Sequence, residues 1–389
     1  KMLQIFKKTN INFMKYKYIA FGLSGVIIVA GIINIAFGKG LKPGIDFSGG
    51  TLIRIMLKSP VDVGEVRQAL NEQDLGGSVI QEVGKEKREY IIRTTQAAKG
   101  DRRAGEEEIE AHEIMGTKVI EALKSAEDTV ALGQGKIDLN NAGRKEIAFV
   151  LEPAFPDTAE ELASQIISLR VERGVIESFS VLKEPGLADE VISRLEEKTF
   201  LGSLTVLSKE TVGPQVGKDL RRKATQATIW ALLGMLVYIA LRFKLSYGVS
   251  SILTLTHDVL VTLSIFSFAN REINLPVIAA VLTIVGYSLN DTIVIFDRVR
   301  DNLKLMRKHS FEEILNVSVN QTLSRSIITS GTVFLTVIAL YFFGGEVIND
   351  FAFTMLIGVI SGSYSTIYQS CPIVYFWQKI FKTKKGLRR

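Results

Sequence analysis

Six apolar runs, each near the length a bilayer demands, leave this chain few folds to choose from. A helix needs about 20 mostly apolar residues to cross a hydrocarbon core. The runs fall at 18–37, 225–241, 247–269, 275–297, 317–343 and 351–378. Several are short or rich in Ser and Thr, as helices that face one another inside a bundle can be. Of the 389 residues 47% are apolar, yet 23% are charged, which is consistent only if the two are segregated. They are: residues 58–223 are rich in Lys, Arg, Asp and Glu, and 224–380 are mostly apolar. The expected fold is a polytopic α-helical membrane protein with six transmembrane helices and one large soluble domain between the first two.

Charge in the short connections sets the orientation. Lys7, Lys8, Lys15 and Lys17 precede the first run, which is long for a signal-peptide core and has no A-x-A site after it, so an uncleaved anchor is expected. Arg242 and Lys244 follow the second run; Arg298, Arg300, Lys304, Arg307 and Lys308 follow the fourth. Lys379, Lys382, Lys384, Lys385, Arg388 and Arg389 follow the sixth, whereas the NRE and GGEV links offer one Arg between them. The positive-inside rule then puts both termini, 1–17 and 379–389, in the cytoplasm and the large domain outside. The net charge of +6 is read as orientation in the lipid bilayer rather than as affinity for nucleic acid. Cys371 is the single cysteine, which excludes an intrachain disulfide.

The soluble domain opens with PGIDFSGGTLIRIML, whose glycines lack the GK[ST] of a phosphate loop and read as a turn into a strand. TLIRIML alternates as a strand does. A helix over 63–73, strands near 78–83 and 89–94, a helix over 106–125 with Ile109, Ile114, Val119, Ile120 and Leu123 on one face, and a last strand in SLTVLSKETV complete the order β-α-β-β-α-β. That order predicts an extracytoplasmic α+β ferredoxin-like domain over 41–136 and 203–223. Residues 137–202 interrupt it as a helical insert. IDLNNAGRKEIAFVL, ASQIISLRVERG and SFSVLKEPGLADEVISRL resemble a double helix-hairpin-helix module, which often binds nucleic-acid backbone at helix N-termini. Here EPAFPDTAEEL puts acidic residues where glycines are expected, so a packed spacer or a protein-contact module is expected and no nucleic acid.

Two charged residues stand inside the apolar runs. Asp291, in GYSLNDTIVIFDRVR, lies roughly 10 Å into the membrane from Arg298, and Arg325, in NQTLSRSIITS, about 12 Å from Val317, at 1.5 Å per residue. A carboxylate at that depth costs about 2.5–3.5 kcal/mol or more, and persists where it pairs, binds an ion or carries a proton. The two are expected to meet in a proton or ion pathway; the alternative is a static ion pair that specifies helix packing. Asp258, in THDV, is a second intramembrane acid, able to relay protons or to hydrogen-bond Ser and Thr neighbours. His257 beside it reads first as a packing residue, and Asn290 either orients Asp291 or turns away. Asp297 and Arg298 are expected to pair at the interface, and Gly358 and Gly362 to allow close helix contact. No nucleophile–base constellation or cluster of metal ligands points to an enzyme, a metal or a cofactor.

Long motifs in the chain resemble the SecF family, one half of the SecDF protein-export factor within the RND superfamily. They are GIDFSGGT, VGPQVGKDL, RFKLSYGVSSILTLTHDV, VGYSLNDTIVIFDRVRDN, NQTLSRSIITSGT and FGGEVINDFAFTMLIGVISGSYST. The resemblance implies a SecD-like partner, the SecYEG channel, an exported polypeptide, and use of the proton-motive force in late translocation. It maps the family's intramembrane acid and arginine onto Asp291 and Arg325, facing an acid that the partner supplies. It does not cover the insert. Other classes compatible with the residues are half of a small-solute exporter of the same superfamily, or a scaffold that docks proteins through the hairpin module.

Overall fold

Asn12 caps a short 3-10 turn, Phe13–Tyr16, that leads into α1 (Lys17–Phe37), apolar almost throughout. The structure is a computed structural model describing residues 9–38, 40–84, 86–94, 106–345 and 348–386, with backbone alone at 106–113 and 382–386. Lys7, Lys8, Arg388, Arg389 and the Ile109 side chain, used above, lie outside the described residues. After β1 (Lys42–Pro43) the chain enters the first of two compact units, Ile45–Leu220; the other joins the residues up to Gly44 to those from Arg221 on.

The 45–220 unit begins with α2 (Ile45–Ser48), β2 (Gly50–Leu57), α3 (Val63–Glu72), β3 (Val79–Val83), β4 (Glu89–Thr94) and α4 (Glu106–Leu123). It continues through α5 (Ala126–Gly133), β5 (Ile137–Asp138), α6 (Arg144–Leu151), α7 (Ala159–Arg173), α8 (Asp189–Lys198), β6 (Thr199–Phe200) and β7 (Leu204–Val212). The sheet order is β3-β4-β2-β7, antiparallel throughout, as a split βαβ with its second hairpin strand between the parallel pair requires. Alternation in β2 sends Ile53, Ile55 and Leu57 into a core with Val66 and Leu70 of α3, Tyr90 and Ile92 of β4, and Val119 of α4. The expected helix over 106–125 stops at Leu123. Ser125 takes the Asp128 backbone N–H while the Asp128 carboxylate takes that of Ser125, a capping box that starts a new helix, α5.

The IDLNNA segment proves to be a clasp. Asn140, fully buried, donates to Ile176 O and Gly202 O at 3.1 and 2.9 Å and accepts from Ile176 N–H at 2.9 Å. Asn141 bridges the Leu204 carbonyl and the Val206 N–H, beside the irregularity at which β7 changes register against β2. Asp138 receives Asn140 N–H, Gly202 N–H and the Asn141 amide, and burial pushes its carboxyl up from the usual range. Insert and sheet are thereby one compact unit, with a second core of Leu139, Ile147, Leu151, Ile166, Leu182 and Leu195. The first turns of α7 and α8 carry Glu160, Glu161, Asp189 and Glu190, which occupy the favourable field of each helix N-terminus that a phosphate would need.

The membrane unit takes in α1, the end of α9 (Pro214–Arg242), α10 (Leu245–Phe268), β8 (Glu272–Ile273), α11 (Leu275–Leu305), α12 (Phe311–Phe343), α13 (Asn349–Tyr368) and α14 (Ser370–Gly386). Six of these helices, α1 and α9 to α13, are long and apolar enough to cross a membrane. The protein is a multi-pass membrane protein. β1 pairs in parallel with β8. The run over 351–378 is not one span: α13 ends at Tyr368 and α14 begins at Ser370. Pro372 is the cause, because it has no N–H to bond the Tyr368 carbonyl and its ring crowds that turn, while it is tolerated in the first turn of a new helix. Asn316 and Asn320 stitch α12 to the chain before α1, donating to Ile11 O at 3.1 and 2.8 Å and accepting from Phe13 and Ile11 N–H groups.

Candidate functional site within the membrane helices

α11 runs 31 residues and α12 runs 33, each extending several residues past the runs read from hydropathy. A capping box at Ser310 and Glu313 sets the α12 start at Phe311. Asp291 and Arg325 therefore stand near the midpoints of their helices. They do not form an ion pair. Asp291, 4% exposed, accepts one hydrogen bond, from Ser330 Oγ of α12 at 3.4 Å. Arg298 to Gln321 at 2.6 Å and Asn302 to Ser318 at 2.9 Å fix the same antiparallel register. In that register Arg325 lies roughly 6 Å, about one helical turn, nearer the α11–α12 link than Asp291.

Arg325 is exposed, and its surroundings are polar. Gln321, Thr332 and Thr336 are exposed on α12, and Thr283, Gly286 and Asn290 on α11. The spacing of three and four residues puts each set along one side of its helix. Asn290 belongs to this exposed side and makes no hydrogen bond to Asp291, so of its two readings the structure gives the one turned away. Asp297 does not pair with Arg298: Arg242 of α9 reaches it at 2.7 Å, and Arg298 bonds Gln321 instead.

Asp258 on α10 is built differently. At 1% exposure it accepts from Ser288 Oγ of α11 at 2.5 Å and from Ser361 and Ser365 Oγ of α13 at 3.0 and 2.9 Å. His257 Nδ1 completes the shell at 3.0 Å from Oδ1. Four donors fill about the four lone-pair positions of an ionised carboxylate. Gly362 allows this, since a Cβ there would come within 3.3 Å of Ser288, and Gly358 lets α13 close on Ile284 of α11. Ser288, Ser330, Ser361, Ser365 and Gln369 are polar members of the site that the sequence reading did not single out. The four-residue step from Ser361 to Ser365 was the available signal, since it puts two hydroxyls on one helix face.

Comparison with known proteins identifies the family. The family model described as "Protein export membrane protein SecD/SecF, C-terminal" matches residues 192–380, and the SecD/SecF GG motif matches 35–61. The protein translocase subunit SecF of Koribacter versatilis is 37% identical over 97% of this chain and 94% of its own length. That of Calditerrivibrio nitroreducens is 36% identical over 98% of this chain and 99% of its own length. The crystal structure of SecDF from Thermus thermophilus, described as a translocon-associated membrane protein, superposes with a TM-score of 0.64 at 29% identity, covering 95% of this chain. The chain spans 39% of that longer protein. On near full-length similarity to such relatives, this chain belongs to the SecF family of protein translocase subunits.

Proposed function

We propose that this chain is an accessory subunit of a protein translocase that, with a SecD-like partner, couples the proton-motive force to late steps of export through a SecYEG channel. The single observation that carries this reading is Arg325, a cation exposed halfway along a membrane helix on a side shared with Gln321, Thr332 and Thr336. Lipid is a poor neighbour for such a surface, and charged residues inside membrane helices face a bundle interior or a partner. The polar side of α11 lies next to it in sequence register. A second chain with an acid of its own would complete the constellation, and SecDF of Thermus thermophilus, of which this chain spans 39%, is long enough to hold a second such part.

Asp291 and Arg325 are the proton relay in this reading. Asp291 has a single long hydrogen bond and no ion-pair partner among the described residues, so its charge is answered by a proton or by a rearrangement that brings Arg325 to it. Asp258, with four donors, supports the bundle from a fixed position. The unit over 45–220 is extracytoplasmic and both termini are cytoplasmic on the charge bias of the links, and the membrane is the bacterial inner membrane on the likeness to bacterial translocase subunits.

The test reconstitutes the protein with partner and channel, with and without an imposed pH gradient. Asp291→Asn and Arg325→Met are expected to insert and assemble but to lose the gradient-dependent stimulation of export, while ATP-driven transport continues. An Asp291→Asn protein that answers the gradient as the wild type does would make Asp291 a structural acid.

A further inference from the structure

His257 sits at the centre of a hydrogen-bonded chain that crosses three parts of the bundle. It is buried, with Nδ1 at 3.0 Å from Asp258 Oδ1 and Nε2 at 3.0 Å from the Gln369 amide nitrogen. The same amide nitrogen donates to Ser24 Oγ of α1 at 2.6 Å. Gln369 is 2% exposed and is the residue between α13 and α14, where Pro372 interrupts the helix.

The chain has a direction. An amide nitrogen only donates, so His257 Nε2 must present a lone pair. The neutral ring then carries its proton on Nδ1, which donates to Asp258. Each of the two N–H groups of Gln369 has a partner, one on His257 and one on Ser24. The groups around His257 that titrate are Asp258 on its own helix and Tyr364 of α13, whose ring centre is 6.4 Å away; α1 presents Ser24, the break presents Gln369, and α11 reaches the ring through Ser288 on Asp258.

We propose that His257 is a second proton-accepting centre of the bundle, and that Gln369 is the residue that positions it and registers its state. When Nε2 takes a proton from water, the nitrogen changes from acceptor to donor and can no longer face an NH₂ group. A half-turn of the Gln369 side-chain amide puts its carbonyl oxygen there instead. That oxygen accepts from Nε2–H, and the Ser24 hydroxyl, formerly an acceptor, reverses to donate to it. Asp258 keeps its Nδ1–H donor throughout, now from an imidazolium. One proton is taken up and no other bond to carbon or nitrogen changes. Because Gln369 is the α13–α14 junction and Ser24 lies on α1, protonation of His257 is felt by three helices. This rests on the proposed proton coupling only for its role in export; the two-state hydrogen-bond chain stands without it.

The experiment is nitrogen-15 NMR of histidine-labelled full-length protein in bilayers, in a His112→Gln, His309→Gln background that leaves His257 as the sole histidine. At pH 8 the expected spectrum is a protonated Nδ1 and a bare Nε2, and by pH 5 both nitrogens carry protons. Gln369→Met, close in shape but without the amide, is expected to keep Nδ1–H at pH 8, where Asp258 holds that proton, but to shift the pH at which Nε2 takes its own. In reconstituted export, Gln369→Met should change the pH profile of gradient-driven stimulation, whereas Asp291→Asn removes the stimulation at every pH. An Nε2–H form in the wild type at pH 8, a spectrum unchanged down to pH 5, or a Gln369→Met protein whose Nε2 protonates at the wild-type pH would each overturn the inference while leaving the Asp291 relay standing.

Discussion

Arg242 Nη2 donates to both carboxylate oxygens of Asp297, at 2.8 and 2.7 Å, joining the last residue of α9 to α11. α9 is otherwise sparsely packed, and Ile239 is its buried apolar contact with the bundle. The ion pair stands six residues, about 9 Å, along α11 from Asp291, so it ties α9 to the helix that carries this acid.

A double-mutant cycle on this pair should show coupling. Both side chains are about one-third exposed, at 33% and 35%, so solvent screens the interaction and the coupling energy is expected at about 1 kcal/mol or less. Thermal melts of Arg242→Ala, Asp297→Ala and the double variant in detergent measure it, and a charge-swapped Arg242→Asp, Asp297→Arg protein should recover part of the loss. Additive losses without recovery would mean that apolar contact alone holds α9.

Asp138 gives the exterior unit a pH dependence of known sign. Burial raises its folded-state pKa above the ordinary value near 3.9, so the folded protein holds this proton more tightly than the unfolded chain does. Its contribution to stability is therefore fully present below the ordinary value and falls as pH rises through the raised one. Asp138→Asn keeps an acceptor for Gly202 and Asn140 but sets its own NH₂ against the Asn141 amide. The variant should be less stable at pH 4 and recover part of that deficit by pH 7, as read from the difference between its melting temperature and that of the wild type. A constant difference across this range would show that Asp138 does not titrate on unfolding.

The membrane helices and the four-stranded sheet were legible because their signals are averages over many residues. Hydropathy summed over a run finds a span, and alternation over TLIRIML finds β2. What escaped depends on single residues. One Gln and one Pro in SYSTIYQSCPIVYF barely change a hydropathy average, yet Pro372 divides the run. Ser125 and Asp128 look like polar residues late in a helix until both capping bonds are seen. The closer partner of Asp297, Arg242 at 2.7 Å, could not be read from spacing because it lies on a different helix; Arg300, three residues on, comes only to 4.0 Å, and Arg298, next in sequence, bonds Gln321. Arg325 was found as an intramembrane cation, but the side it faces depends on the register between α11 and α12, set by Arg298, Asn302, Ser318 and Gln321.

The orientation proposed for the bundle has a direct check. Glu172 and Ser180 are exposed on the insert, and Arg300 is exposed near the end of α11. In a Cys371→Ala background, cysteines at 172 and 180 should react with an impermeant maleimide in intact cells, and one at 300 only after lysis. The opposite pattern would invert the bundle and with it the direction of proton flow.

The exposed polar side of α11 and α12 yields the sharpest test of a partner in the membrane. Gly286 lies on it between Thr283 and Asn290, and a Cβ added there would meet nothing within 4 Å in this chain. Gly286→Leu should therefore fold, insert and melt as the wild type does. If a SecD-like chain closes over this side, a leucine there would hold the two helices apart, since close approach in membranes depends on small residues. Co-purification with the partner and gradient-dependent export should both fall by an order of magnitude or more, about the effect of losing 1.4 kcal/mol in an association. Gly358→Leu serves as the contrast: its Cβ would lie 2.1 Å from Ile284 Cδ1, so it should destabilise the isolated chain, partner or none. A Gly286→Leu protein that still binds its partner and answers the gradient would place this side against lipid and leave Arg325 without the partner acid that the proposed relay requires.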